Sequence, residues 1–279
     1  DRMETPKLNT IFFLGGGHMA SAIIEGLRKS SNPPEIRVSD VMEDSIKRHL
    51  ANGCIAANDP SLCKDAQVIL LAVRPQHFDV AVGSLSQYVT KDQVIVSIAA
   101  GVTVASIEAQ FPAGTRVVRC MPNTPLAVGE GMVSVTGGTH ASQTDVELAK
   151  LVFSSSAEVV EVKEEQINAV TAVSGSGPAY VYHFAEAMFN AAKELGFDDD
   201  VAALLVGQTM KGSVAFLRSH SDFPASRLCR EVTSAGGCTE AAMNVLKGVK
   251  LSEAMCDALN ANCARSAELA AMSASKSEE

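Results

Sequence analysis

The chain has 279 residues, with 23 Lys plus Arg against 32 Asp plus Glu, a net charge of −9 and 47% hydrophobic residues. That is enough for one large domain or two ordinary ones around a sizeable core. The acidic balance lacks a basic stripe, which argues against a nucleic-acid partner. No apolar run approaches the ~18 residues needed to cross a membrane. The opening "DRMETPKLNT" carries no signal-peptide core, and Met3 is read as a candidate native start. Seven cysteines (54, 63, 120, 229, 238, 256 and 263) include no C-x-x-C pair. This odd, scattered set fits reduced thiols in a cytoplasmic protein, without a disulfide framework or a metal site. All but Cys238 are expected to be small buried apolar side chains.

In chain order, strands are predicted at Ile11–Leu14, Ile36–Ser39, Val68–Val73, Val94–Ile98 and Val117–Arg119, with further candidates at Val133–Thr136 and Val159–Val162. Helices are predicted at Met19–Lys29 and Asp44–Asn52. The run "VILLAV" is continuously apolar, as expected for a strand covered on both faces. Alternating β and α elements imply a doubly wound parallel sheet. Near Glu164 the pattern becomes Ala-rich and helical, broken by "SGSGPAY" at Ser174–Tyr180, and no strand is expected after Asp198. The domains are therefore placed at residues 1–164 and 165–279, joined by a helix. The tail "SASKSEE" is expected to fray.

"LGGGHMA" lies where a strand hands over to a helix and fits G-x-G-x-x-A with Gly15, Gly17 and Ala20. Gly15 allows the turn, Gly17 has no Cβ to obstruct a pyrophosphate, and Ala20 lets helix and strand pack closely. The first helical turn, with His18 and Met19, offers N–H groups and the positive dipole end to phosphates. Asp40 ends the second strand. Either it accepts from an adenosine ribose 2′-hydroxyl, leaning the cofactor toward NADH, or it is an N-cap. Arg37, Lys47 and Arg48 are nearby cations that leave NADPH open. "AVRPQHF", "SIAAG" and "RCMPNTP" close later strands, where open α/β sheets bind ligands. Ala72, Val73, Arg74 and Pro75, then Ala99, Ala100 and Gly101, then Met121, Pro122 and Asn123 are expected to rim the nicotinamide half. The side chains of Asn123 and Thr124 are candidates to face the cleft.

"EVTSAGGCTEAAM" reads as a loop feeding a helix N-terminus. Ser234, Gly236, Gly237, Cys238 and Thr239 would form a nest of N–H and hydroxyl groups suited to a small carboxylate, or an ordinary helix start at Thr239 and Glu240. Tyr180 is read as a packing residue or a border of the substrate pocket, His183 as a packing residue, and Pro178 as the point where a helix kinks or restarts.

"FFLGGGHMASAIIEGL", "VRPQ", "SIAAGVT", "RCMPNTP", "SGSGPAYVY" and "VTSAGGCTEAAM" occur in this order. Together they resemble the pyrroline-5-carboxylate reductase family over roughly residues 9–270. The resemblance implies an N-terminal Rossmann domain and a C-terminal all-helical dimerisation domain. It also implies NADPH or NADH as hydride donor and Δ1-pyrroline-5-carboxylate as acceptor. Within it, the loop at Ser234–Thr239 holds the substrate carboxylate and the Thr239 hydroxyl bonds the ring nitrogen as the catalytic group. It further implies a homodimer with shared active sites, assembling to a decamer. Two departures stand out: Ala235 replaces a frequent Pro, and Cys238 replaces a small or hydroxyl residue. Cys238 is read as a space-filler offering its backbone N–H, since no His lies beside it. A β-hydroxyacid-type dehydrogenase is the alternative enzyme, but it would use a Lys after the domain boundary, and residues 166–190 contain none. A non-catalytic dinucleotide-binding protein would keep the glycine turn without the second loop.

Overall fold

The computed structural model describes residues 6–275, so Met3 and the last four residues of the tail lie outside the described residues. Eight strands form one sheet: β1 (Thr10–Leu14), β2 (Glu35–Ser39), β3 (Ile55–Ala57), β4 (Val68–Leu71), β5 (Val94–Ser97), β6 (Arg116–Met121), β7 (Gly131–Gly137) and β8 (Ala157–Glu161). Their order is β3-β2-β1-β4-β5-β6-β7-β8. β1 is an interior strand and pairs in parallel with β2 and β4, Phe13 lying opposite both Val38 and Leu70.

Helices α1 (His18–Arg28), α2 (Glu43–Ala51), α3 (Phe78–Gly83), α4 (Val104–Glu108) and α5 (Gln143–Phe153) cover the two faces. The strand period of two sorts β1 between two cores. Ile11 and Phe13 pack with Ile23, Ile24 and Leu27 of α1 and Val152 and Phe153 of α5. Phe12 and Leu14 pack with Phe78 and Val82 of α3 and Ile107 of α4. Each such buried side chain contributes roughly 1.5–3 kcal/mol of apolar burial.

The expectation of a parallel sheet needs one correction. β7 runs antiparallel to β6, and β8 is parallel to β7. The cause is the connection: a single 3₁₀ turn at Thr124–Val128 joins β6 to β7, too short for a crossover helix. Between β7 and β8, α5 supplies that crossover. β3, a three-residue edge strand, was not foreseen. β4 stops at Leu71, two residues before the predicted end, because the chain turns at Ala72 beside Gly15.

Beyond β8 come α6 (Ile167–Val170), a π-helical turn at Thr171–Gly175, α7 (Gly177–Glu194), α8 (Asp199–Ser219), α9 (Ala225–Glu231), α10 (Cys238–Gly248) and α11 (Leu251–Ser275). Helix therefore continues into the first residues of the tail. Pro178 sits at the start of α7, where its missing N–H costs nothing. No strand follows Asp198 among the described residues.

By contacts the chain divides into two compact units, one taking in the described residues up to 176 and those from 261 onward, the other 177–260. The end of α11 joins the sheet unit through Asn262 Nδ2 donating to Ser176 Oγ (2.9 Å) and Ser266 Oγ donating to Asn168 Oδ1 (2.8 Å). Within residues 177–260 the buried apolar side chains are Ala192, Ala202 and Val206.

Candidate functional site

The parallel strands β1, β2, β4, β5 and β6 end along one edge of the sheet, so their following loops line up there. The order reverses beside β1, which places that edge at a topological switch point.

The three glycines at this edge have three different reasons. Gly15 has φ of +93°, and a Cβ there would lie 2.8 Å from the Ala72 carbonyl oxygen. Its N–H donates to Ser39 O at 2.8 Å. Gly16 is wedged against α2, where a Cβ would lie 2.5 Å from Ser45 Oγ and 2.7 Å from His49 Nε2. Gly17 is the opposite case: a Cβ would meet nothing within 4 Å. It is also the N-cap of α1, without a side-chain cap and without an acid in the first turn. The N–H groups of His18 and Met19 thus begin an uncapped helix beside open space, the arrangement that receives a pyrophosphate. Ala20 is buried and packs α1 on the sheet, as expected.

Gly16 is held at both ends by the β2–α2 segment. Its N–H donates to Asp40 Oδ2 at 2.7 Å. Its carbonyl oxygen lies within 3.1 Å of Ser45 Oγ, 2.7 Å of an Arg48 guanidinium nitrogen and 2.9 Å of His49 Nε2. The trans peptide points the Gly17 N–H away from the carbonyl so clamped, fixing the first donor of the turn. Ser45 and His49 were not anticipated from the sequence, and Arg48 was read only as a nearby cation. Their spacing, 45, 48 and 49 on one helical face, was the available signal.

Asp40 does not cap α2, whose N-cap is Met42 without a side-chain bond. It accepts from Met42 N at 2.9 Å through Oδ1 and from Ser45 Oγ at 2.8 Å through Oδ2. Burial pushes its carboxyl up, but bonds from the Met42, Ser45, Gly16 and Val41 groups outweigh that and hold it below the ordinary carboxylate value.

The other rim residues divide by exposure. Ala72 and Val73 are half-buried beside Gly15, while Arg74 and Pro75 are exposed at the start of a 3₁₀ turn. Ala99 is buried in the core, Ala100 is exposed, and Gly101 takes φ of +76° next to Leu269 of α11. Met121 packs on the π-turn at Gly175, and Pro122 is buried. The Asn123 side chain does not face a cleft: Nδ2 donates to Ser174 O and Oδ1 accepts from Met132 N, so it ties two loops together. Thr124 remains exposed.

In the helical unit, the loop before α10 is a tight turn. Gly237 N donates to Ser234 O at 3.0 Å, and Gly236 has φ of +70°. Gly237 is the N-cap of α10, with no side-chain cap. Cys238 and Thr239 open that helix and are exposed, as is Ser234. The Glu240 carboxylate accepts from Gly236 N at 2.8 Å, a brace that sequence reading did not anticipate. Two hydroxyls and the opening N–H groups of α10 thus gather here, with the Gly236 and Gly237 N–H groups engaged inside the loop and Glu240 in the first helical turn.

The cysteine expectation needs correction. Cys54, Cys63 and Cys120 are buried, Cys229 and Cys263 are half-buried, and Cys256 is exposed with Cys238. The outliers lie on helices that bury few residues. Burial pushes the Cys63 thiol up to about 11. His183 is exposed rather than packed. Among the described residues no cluster could hold a metal ion, and no helix is long and apolar enough to cross a membrane.

Residues 164–269 match the family model described as pyrroline-5-carboxylate reductase dimerisation, and residues 10–101 match that of NADP oxidoreductase, coenzyme F420-dependent. The chain is 38% identical to pyrroline-5-carboxylate reductase of Pseudomonas aeruginosa over 96% of its own length and 98% of that protein. It superimposes on a pyrroline-5-carboxylate reductase from Coxiella burnetii with TM-score 0.88 and 32% identity, covering 94% of this chain and 99% of that one. The Plasmodium falciparum pyrroline carboxylate reductase with NADP bound gives TM-score 0.84 and 26% identity, over 95% of this chain and 100% of that one.

Proposed function

The chain belongs to the pyrroline-5-carboxylate reductase family, and we propose on that premise that it reduces Δ1-pyrroline-5-carboxylate to proline with a nicotinamide dinucleotide. The observation that carries this reading is the pair of uncapped helix N-termini, one behind Gly17 and one behind Gly237, each in its own unit. Both are suited to anions, the first to a pyrophosphate and the second to a small carboxylate.

Gly15, Gly17, His18, Met19 and Ala20 would hold the pyrophosphate, and Asp40 the adenosine ribose. The loops at Ala72–Pro75, Ala99–Gly101 and Met121–Asn123 would border the nicotinamide, Asn123 through its backbone. When bound, that cofactor supplies the hydride. Ser234, Gly236, Gly237 and Cys238 would bind the substrate carboxylate, which would take the place of the Glu240 carboxylate on Gly236 N–H. Thr239 Oγ would accept from the protonated ring nitrogen and stay with it as it becomes an amine. A protonated imine is already electrophilic, so a strong general acid is not required. Orientation is then the protein's main contribution, worth roughly 7–11 kcal/mol at best.

The active site is proposed to be shared between two chains of a homodimer, with dimers assembling further to a decamer. In support, Tyr182, Phe184, Leu204 and Phe216 of α7 and α8 are exposed apolar side chains. Buried thiols support a cytoplasmic setting. Steady-state oxidation of NADH and NADPH with Δ1-pyrroline-5-carboxylate tests the reading. Turnover is expected. Reduction of NAD+ or NADP+ by small hydroxyacids instead would favour the β-hydroxyacid alternative, and cofactor binding without turnover on any cyclic imine would favour a non-catalytic binder.

A further inference from the structure

Family membership leaves the choice between the two dinucleotides open, since a relative has NADP bound. The β2–α2 segment of this chain decides it on physical grounds. We propose that this protein is selective for NADH over NADPH, with Asp40 as the specificity-determining residue; the proposal rests on the dinucleotide reading of the glycine turn.

An acid at the end of the second strand reaches the ribose 2′-hydroxyl and opposes a phosphate there. Asp40 occupies that position and is not free to turn away. Oδ2 is fixed by Gly16 N–H at 2.7 Å and Ser45 Oγ at 2.8 Å, and Oδ1 by Met42 N–H at 2.9 Å. Rotating the carboxylate aside to admit a phosphate would break bonds that also hold the turn. Those same bonds hold Asp40 ionised at neutral pH. Two further acids, Glu43 and Asp44, stand in the first turn of α2.

The nearby cations each have a partner in the protein. Arg37 is bound to Glu35 at 2.6 Å and to the carbonyls of Leu62 and Lys64. Lys47 pairs with Glu43 at 3.1 Å. Arg48 gives a guanidinium nitrogen to Gly16 O at 2.7 Å. A 2′-phosphate would therefore face a fixed carboxylate with two further acids beside it, while Arg37 is committed to Glu35 and two carbonyls.

Equilibrium titration with NADH and with NADPH, followed by nicotinamide fluorescence, reads the preference without depending on turnover. Failure here is therefore distinct from failure of the proposed reaction. The wild-type chain is expected to bind NADH at least about tenfold more tightly. Asp40→Asn keeps the side-chain shape and should narrow that ratio severalfold. Should Asp40→Asn fail to fold, Glu43→Gln releases Lys47 without touching the turn and should narrow the ratio in the same direction. Equal or tighter binding of NADPH by the wild-type chain would overturn the proposal. So would a ratio unchanged in the folded variants.

Discussion

Substituting each of the three consecutive glycines should fail in a different way. Gly15→Ala places a Cβ against a backbone carbonyl at positive φ, and Gly16→Ala drives one into Ser45 and His49. Both should lower stability, on the order of 1–3 kcal/mol each, and weaken the cofactor with it. Gly17→Asp is different, because a side chain there meets open space and can cap α1. Its melting temperature should match or exceed that of the wild type, while dinucleotide affinity falls roughly a hundredfold from like-charge repulsion. Thermal melts and cofactor titrations on the three variants separate these outcomes. Asp40 adds a pH signature. Its folded value is depressed, so its contribution is fully present above the unfolded value of about 4 and is lost as pH falls through the folded one. The stability gap between wild type and Asp40→Asn, from urea unfolding, should be constant above about pH 5 and shrink below pH 4. Thr239→Ala should lower kcat/KM about tenfold or more, the loss of one hydrogen bond at the reacting nitrogen. Unchanged kinetics would remove Thr239 from the chemistry.

Secondary elements carried most of what the sequence made legible. Continuous apolar runs such as Val68–Leu71 and the alternation of strand with helix revealed the sheet because burial on both faces leaves a local pattern. The reversal at β7 left none: strand direction depends on the length of a connection, and a 3₁₀ turn looks like any loop. The glycine turn and the loop before α10 were legible because backbone exposure demands small residues. The Gly16 clamp was not, since Ser45, Arg48 and His49 read as an ordinary polar helix face until the fold turns it toward the glycines. Nor was the Glu164 contact, which joins distant segments. Its Oε1 accepts from Arg119 at 2.6 Å and from Val104 N–H at 3.0 Å, tying β6 and the start of α4 to the segment after β8. Arg119 is buried, whereas the Glu164 side chain is 35% exposed. Glu164→Ala should therefore cost on the order of 2–3 kcal/mol, below a fully buried pair. A change under half a kcal/mol in urea unfolding would show that solvent replaces the carboxylate.

For the whole molecule, residues 177–260 pose a stability problem by themselves. Ala192, Ala202 and Val206 are their buried apolar side chains, too little to offset the ordering of so many residues. A second copy covering α7 and α8 would supply the missing core, and the melting temperature should then rise with protein concentration. A concentration-independent melt of a monomer would contradict this. The extent of the helical half was legible from Ala-rich periodicity, but the return of α11 to the sheet unit was not, because it rests on bonds made far along the chain. The central claim is that the cofactor cradle of one chain works with the substrate loop of another. Mixing Gly17→Asp subunits with Thr239→Phe subunits tests it most directly, since each blocks one cradle only. If sites are shared, a mixed dimer keeps one intact site, and the redissociated and reassembled mixture should recover about a quarter of wild-type activity. If the mixture stays as inactive as its parents while mixed dimers are demonstrably present, each site lies within one chain and the account is wrong.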